Sequence, residues 1–468
     1  MAYRGSLFES QGKGYEILTP ESRYVFVSSP SHIKELLAVP DSVFSLYAAS
    51  RQLLQPIFTM HNFNWLDKEG TKGGNEGGGF VRAVRVCLTN TLPTIVPSIR
   101  KLVSEELDRL LPLKKCENGS KTAAIYPLIL RLTVLSNAEV IFGKELARNE
   151  LFIQAAKQYI EQVFLGAELI RLLPSWMAPV ASRALRPWLN AQHIVYETLT
   201  PIAARRLREQ GLAENGILAS QDADCIQWIM ESLPTGRVLT PQRLVHETMA
   251  IWFGSIHAVA GAITIALQDL CLHPEYLDPL RKEIDTQYLN FERIAQGLPL
   301  LDSFLKESAR LTPTEALSTR RYAVEPHTFS DGTHLNRGDW ACTPLIAINR
   351  IPEFYPNPEQ FSGFRFAPPQ LLDSLSIKDE EGLPKQDTPS KLVDTDHKWL
   401  MFGTGRQACP GRFYAAAAAK VIMSQIISKY DMRMVDKDAK RWWSLRSTIV
   451  LREDVMVEFT PRVKGNGS

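Results

Sequence analysis

The stretch Phe402-Gly403-Thr404-Gly405-Arg406-Gln407-Ala408-Cys409-Pro410-Gly411-Arg412 decides how this chain reads. Gly403 and Gly405 allow a tight turn in which backbone can approach a flat ligand closely. Cys409 comes directly before Pro410, and proline is favoured at the first position of a helix. From Phe413 to Tyr430 an alanine-rich opening, Ala415 to Ala419, is followed by apolar residues at helical spacing. A thiolate at Cys409 would sit at that helix's N-terminus, where the dipole and free N–H groups stabilise negative charge and depress its pKa. Such a sulfur is prepared to bind iron. A cysteine beside a glycine without those companions would read as a buried structural thiol.

The spacing of Phe402, Gly405, Arg406, Cys409 and Gly411 resembles the haem-ligand signature of the cytochrome P450 family. The resemblance implies a P450 fold, mostly α with a small β region, as one haem domain over 1-468. It implies haem b, iron protoporphyrin IX, as cofactor, with Cys409 as the thiolate metal ligand that pushes electron density into the iron. Phe402, Arg406 and Gly411 are implied to contact the cofactor.

Composition agrees with a globular enzyme. At 45% hydrophobic and 22% charged residues, the 468-residue chain has ordinary core-forming content. Length alone suggests roughly three domains at ~150 residues each, where the resemblance implies one. A formal net charge of +2 gives no nucleic-acid signal. Cys87, Cys116, Cys225, Cys271, Cys342 and Cys409 lack paired spacing, which suits a reducing compartment and excludes a metal-finger pattern. Asn118-Gly119-Ser120 matches a glycosylation acceptor, which means nothing without secretion.

Met1 to Pro30 contains no apolar signal core and no membrane-spanning run of ~20 residues. Relatives usually carry an anchor helix and a proline-rich hinge before the segment that reads as beginning at Gly14-Tyr15-Glu16-Ile17. The expectation is a chain without an N-terminal anchor or transmembrane segment, cytoplasmic or peripheral on the endoplasmic reticulum. Loss of the anchor and truncation both remain open.

Further along, Arg23 to Val27 alternates as a strand, and the turn Ser29-Pro30-Ser31 could cap a helix over Ser31 to Ala38. The run from Asp67 to Gly79 is glycine-rich but lacks the Gly-Lys-Ser/Thr ending of a phosphate loop, so it reads as a surface loop. Phe80 to Asn90 looks like the family helix crossing one haem face. Arg85 falls where relatives hold a haem propionate, with Arg82 as the competitor.

Leu151 to Leu212 carries two helical stretches around the Trp-bearing connection Leu169 to Pro179. It resembles the loop over the substrate entrance that can touch a membrane surface; inward packing of its Leu and Trp is the alternative. Thr240 caps a helical run from Pro241 to about Leu272, matching the family's oxygen-side helix. Glu307 and Arg310 share one helix face at a spacing of three, and the resemblance gives them a buried structural role completed by Arg365. Arg320 to Thr333 reads as strands with an Asp331-Gly332 hairpin turn. Arg321, with Arg320 as competitor, is the implied second propionate ligand. Asn349 stands where many relatives have histidine, which puts one cofactor contact in doubt. Gln370 to Lys398 reads as a polar surface meander, and Trp442 to Pro461 as strands around a turn.

The departure from pattern lies in Phe253-Gly254-Ser255-Ile256-His257-Ala258-Val259. Relatives commonly follow this histidine with two threonines, whose hydroxyl holds a water for proton delivery. Here Ala258 and Val259 carry none. His257 and Ala258 are therefore the candidate catalytic positions, His257 as a proton donor or as a satisfied core group. Ser255 and Thr264 point away from the missing hydroxyl's place.

Three functions follow: hydroxylation with another water carrier, a non-hydroxylating haem reaction such as coupling, desaturation or rearrangement, and haem binding without turnover. Gly254, Ala258, Val259, Ala316, Leu317 and Ile449 are the implied pocket positions. Being small or apolar, they suit a bulky hydrophobic secondary metabolite such as a terpenoid, polyketide or indole alkaloid, by analogy with fungal members. The implied partner is an NADPH-cytochrome P450 reductase docking on the thiolate side, where Arg412 and Lys420 offer positive charge.

Overall fold

The computed structural model describes residues 14–19, 22–63, 79–112, 119–213, 223–232, 239–375 and 390–462. Most of the glycine-rich run, Cys116, Asn118 and the middle of the polar meander, 376–389, lie outside the described residues.

Ser29 caps the first described helix: its Oγ accepts from the His32 N–H, and Pro30 sits at the first helical position, so α1 spans Pro30–Ala38. The helices that build the core follow as α2 (Thr89–Leu110), α3 (Ile125–Phe142), α4 (Glu150–Arg171), α5 (Ala191–Ala213), α6 (Pro241–Ser255), α7 (His257–Leu272), α8 (Leu277–Ile294), α9 (Pro299–Leu311) and α10 (Arg412–Lys429). Helix α3 is apolar nearly all round and almost wholly buried, as a helix surrounded by other helices must be. It packs on α7, which packs on α9 and α10. The core therefore sits between the two helices that carry the candidate chemistry.

The β structure is smaller. Strands β1 (Tyr15–Leu18), β2 (Arg23–Phe26), β3 (Phe44–Ser45), β5 (Ser318–Ala323) and β8 (Trp340–Thr343) form one sheet in the order β1-β2-β8-β5-β3. Strand β4 (Lys121–Ala124) pairs with β12 (Met456–Pro461), which pairs with β9 (Tyr430–Met434). Hairpins join β6 (His327–Thr328) to β7 (His334–Leu335), around Gly332 at φ +86°, and β10 (Trp442–Leu445) to β11 (Thr448–Leu451).

Three helix readings change. The helix expected over Phe80 to Asn90 begins at Gly79, runs as a π-helix over Ala83–Leu88 and continues to Leu110 despite Pro93 and Pro97. The single run from Pro241 to Leu272 breaks at Ile256 into α6 and α7. Pro410 is not at the first helical position: Gly411 is the capping residue and α10 starts at Arg412, ending one residue before Tyr430 enters β9. Among the described residues, two helical stretches, Ile125–Phe142 and the α6–α7 pair, are long and apolar enough to cross a membrane, and most of each is buried inside the protein.

Candidate functional site: a cysteine loop between two helices

The cysteine loop is closed by its own backbone. The Cys409 N–H donates to the Phe402 carbonyl at 2.8 Å, and the Gly403 N–H to the Leu400 carbonyl at 2.9 Å. Gly403 and Gly405 both sit at φ +66°, in the left-handed region that side chains disfavour, so the turn requires glycine there. Gly411 opens α10 beside Val84, where a built Cβ would lie 3.4 Å from the Val84 Cγ1, an ordinary contact. Phe402 is partly buried and packs on the main core.

The loop is held in place by α9. Lys306 is buried, donates to the Lys391 carbonyl at 2.7 Å and the Ser390 hydroxyl at 2.8 Å, and lies 4.7 Å from the Trp399 ring centroid. Burial lowers its pKa to about 8, against the attraction of Asp394, Asp396 and Asp302. The Leu392 N–H donates to Asp302 at 2.7 Å, and the Ser318 hydroxyl to the Leu400 carbonyl at 2.6 Å. Next to Lys306, Glu307 and Arg310 are both fully buried and paired at 2.7 and 2.8 Å. Arg365 reaches both Glu307 oxygens at 3.2 Å, and the Ser362 N–H adds a bond of 2.9 Å. Arg310 also donates to the carbonyls of Asn349 and Pro358. Asn349 returns a bond from its Nδ2 to the Arg310 carbonyl, at 3.0 Å.

The sulfur does not show the depressed pKa expected of it. Burial pushes the Cys409 thiol up, and this outweighs the opposing N–H groups of Gly411 and Arg412 and the charges of Arg412 and Arg85. Those four groups are nevertheless the ones a thiolate would use.

The arginines divide. Arg321 is 5% exposed and donates to the Arg320 carbonyl at 2.8 Å; among the described residues it has no carboxylate in ion-pair range. Burial lowers its pKa to about 10, against the charge of Asp41. Its competitor Arg320 is committed to Glu315 and to the Ser447 hydroxyl. Arg85 is exposed and donates to the Arg406 carbonyl at 2.9 Å, while Arg82 is exposed on the preceding turn. Arg406 is exposed on the 3₁₀ turn Gly405–Gln407, and its neighbour Gln407 is part-buried and bonded to Asp41. Lys420 is a correction. It is buried and paired with Asp302 at 2.5 Å and the Gly297 carbonyl at 2.8 Å, so it offers no surface charge to a partner.

On the other side, Gly254 and Ala258 are exposed, one turn apart, on helices otherwise set in the core. A Cβ on Gly254 would meet nothing within 4 Å, so this face looks onto open space. Gly261 approaches the Thr314 methyl group, at 3.0 Å from a built Cβ, which brings the loop carrying Ala316 and Leu317 against α7. The Ile449 N–H donates to the Thr314 carbonyl at 3.0 Å and the Ala316 N–H to the Ser447 carbonyl, so the hairpin tip joins the same wall. Val259 is half-buried against the main core. His257 turns aside: its Nδ1 lies 3.0 Å from the Tyr126 hydroxyl, and its ring meets Phe164 edge-on. Burial lowers its pKa to about 4, so it is neutral near neutral pH. Ser255 and Thr264 spend their hydroxyls on the Trp252 and Ala260 carbonyls.

A buried guanidinium with no carboxylate in ion-pair range among the described residues, a part-buried thiol beside N–H groups and positive charge, and a helix face onto open space fit an anionic, flat, metal-bearing group. Sequence reasoning missed Asn137, Tyr414, Tyr126 and Gln407. Asn137 carried a signal, as a lone amide within the apolar run Leu128–Phe142.

Comparison with known proteins agrees with this geometry. A family model described as Cytochrome P450 matches residues 6–454. The chain is 28% identical to the cytochrome P450 monooxygenase AN1598 of Emericella nidulans, over 92% of this chain and 76% of that one. It is 28% identical to the cytochrome P450 monooxygenase janP of Penicillium janthinellum, over 91% and 78%. Against ptmP of Penicillium ochrochloron it is 31% identical, over 69% and 71%. Among solved structures, the retinoic acid-bound cyanobacterial CYP120A1 superposes with a TM-score of 0.68 at 18% identity, covering 98% of this chain and 94% of that one.

Proposed function

The chain belongs to the cytochrome P450 family, an oxidoreductase of the haem b-binding type, and from that premise we propose that it is a monooxygenase acting on a bulky hydrophobic secondary metabolite. Electrons come from an NADPH-dependent reductase. The observation that carries the reading is the closed Phe402–Cys409 loop with Arg321 buried and, among the described residues, without a carboxylate in ion-pair range.

When bound, haem b supplies the iron at which dioxygen is activated, with the cysteine thiolate favouring O–O cleavage. Cys409 would hold it, and Arg321 would pair a propionate, gaining the partner that its burial lacks. Arg85, on the exposed edge, would pair the other. Glu307, Arg310 and Arg365 act at a distance, by locking α9 to the segment that feeds the loop. Gly254, Ala258, Ala316, Leu317 and Ile449 would shape the substrate space, and their small or apolar side chains favour an unfunctionalised hydrophobic surface.

The absence of a hydroxyl at Ala258 and Val259 supports a second reading, in which the same site carries out coupling, desaturation or rearrangement. The exposed Leu172, Trp176 and Val180 beyond α4, at 65%, 75% and 62% exposure, support contact with a membrane surface.

The test is a reduced carbon monoxide spectrum of the purified protein, followed by incubation with reductase, NADPH and a panel of terpenoids and alkaloids. A thiolate-type band with oxygenated product supports the first reading. Coupled or rearranged product without net oxygen incorporation selects the second. A protein with no thiolate-type band overturns both.

A further inference from the structure

The break between α6 and α7 has a partner. Ile256 sits at φ −103° and ψ −70°, and the ladder resumes with the Ala260 N–H on the Ile256 carbonyl at 2.9 Å. In a continuous helix the Ser255 carbonyl would take the Val259 N–H. Instead it accepts from the Asn137 Nδ2, at 2.6 Å. Asn137 is fully buried on α3. Its other end is fixed as well: the Tyr414 hydroxyl donates to the Asn137 Oδ1 at 2.7 Å. That bond decides the amide's orientation, because an oxygen facing Tyr414 leaves the NH₂ facing Ser255. Burial pushes the Tyr414 pKa up, so its hydroxyl stays a donor. Tyr414 stands in the first turn of α10, directly after the Cys409 loop.

We infer that Asn137 is a positioning residue: it draws the Ser255 carbonyl out of the helical ladder, holds α6–α7 open at Ile256, and ties that opening through Tyr414 to the helix behind Cys409. The opening frees backbone groups beside Ala258, on the face that looks onto open space. A water held there takes over part of the work of the hydroxyl that Ala258 and Val259 lack. This rests on the proposed function, whereas the opening itself is a property of the polypeptide and can be measured apart from turnover. The competing cause is Gly254, a poor helix former next to the break.

The experiment is amide hydrogen exchange of residues 256–259 in the haem-loaded protein, for the wild type, Asn137→Leu and Tyr414→Phe. With Asn137→Leu the Ser255 carbonyl regains the Val259 N–H, and exchange at Val259 slows on the order of tenfold, as one backbone hydrogen bond allows. The fraction of NADPH electrons lost as hydrogen peroxide rises in the same variant. Tyr414→Phe frees the amide to rotate and slows Val259 exchange by a smaller factor. If Asn137→Leu does not fold, Tyr414→Phe decides alone. Unchanged exchange at Val259 in a folded variant whose carbon monoxide band is intact overturns the role of Asn137 and leaves the proposed function standing. A missing band in the wild type overturns the proposed function instead.

Discussion

Tyr126 and His257 meet at 3.0 Å, hydroxyl oxygen to Nδ1, across the gap between α3 and α7. The contact gives a histidine on the oxygen-side helix a structural partner and turns it away from Ala258. Both groups are held in their neutral forms: burial lowers the His257 pKa to about 4 and raises that of Tyr126 to about 12.

This pair carries a pH signature. The unfolded chain protonates His257 near 6.5, while the folded chain resists until about 4. Stability is therefore lost as pH falls through that window, by up to about 3 kcal/mol at its lower end. His257→Asn removes the titration, and thermal melts from pH 7 to pH 4 should show a shallower loss than the wild type. Parallel curves would mean that the imidazole is solvated.

The ion cluster of Glu307, Arg310 and Arg365 predicts a large, one-sided cost. Glu307→Gln leaves two guanidinium groups buried beside a neutral amide, and destabilisation of about 3–5 kcal/mol is expected in urea unfolding. A loss below ~1 kcal/mol would show that the cluster is solvated in solution.

Arg321 predicts two effects of opposite sign. Arg321→Met removes a desolvated charge, so the haem-free protein should melt higher. The same change removes a propionate partner, and haem dissociation should quicken by roughly 10–100-fold, the worth of one charge-assisted hydrogen bond. Arg320→Met, which breaks the contact with Glu315, should leave haem release unchanged.

Ala258→Thr tests the missing hydroxyl. The variant should raise product formed per NADPH and lower peroxide release several-fold. Peroxide leakage equal to that of the wild type would show that the hydroxyl is not what limits coupling.

The apolar patch predicts lipid binding. Flotation with phospholipid vesicles should carry the wild type upward, and the double variant Leu172→Ser, Trp176→Ser should stay at the bottom. Equal flotation would remove the patch from the argument.

Sequence by itself determined the family, the Glu307–Arg310 pair and the capping of α1 and α6, because each depends on residues within about ten positions of one another. The glycine turn before Cys409 was legible for the same reason: φ +66° at Gly403 and Gly405 is a local demand that glycine meets. Tertiary structure decided what depends on neighbours distant in the chain. Whether Arg320 or Arg321 is free of a carboxylate was settled by Glu315 and Ser447, which take Arg320. Lys420 reads as a surface charge until Asp302, more than a hundred residues earlier, is found against it. The thiol's pKa was read from the helix dipole alone, yet burial sets its direction. The break at Ile256 had no local signal beyond Gly254, since the group that opens it, Asn137, comes from another helix. Local sequence encodes backbone preference, whereas pairing and desolvation are properties of the packed interior, where distant residues compete for the same few polar groups.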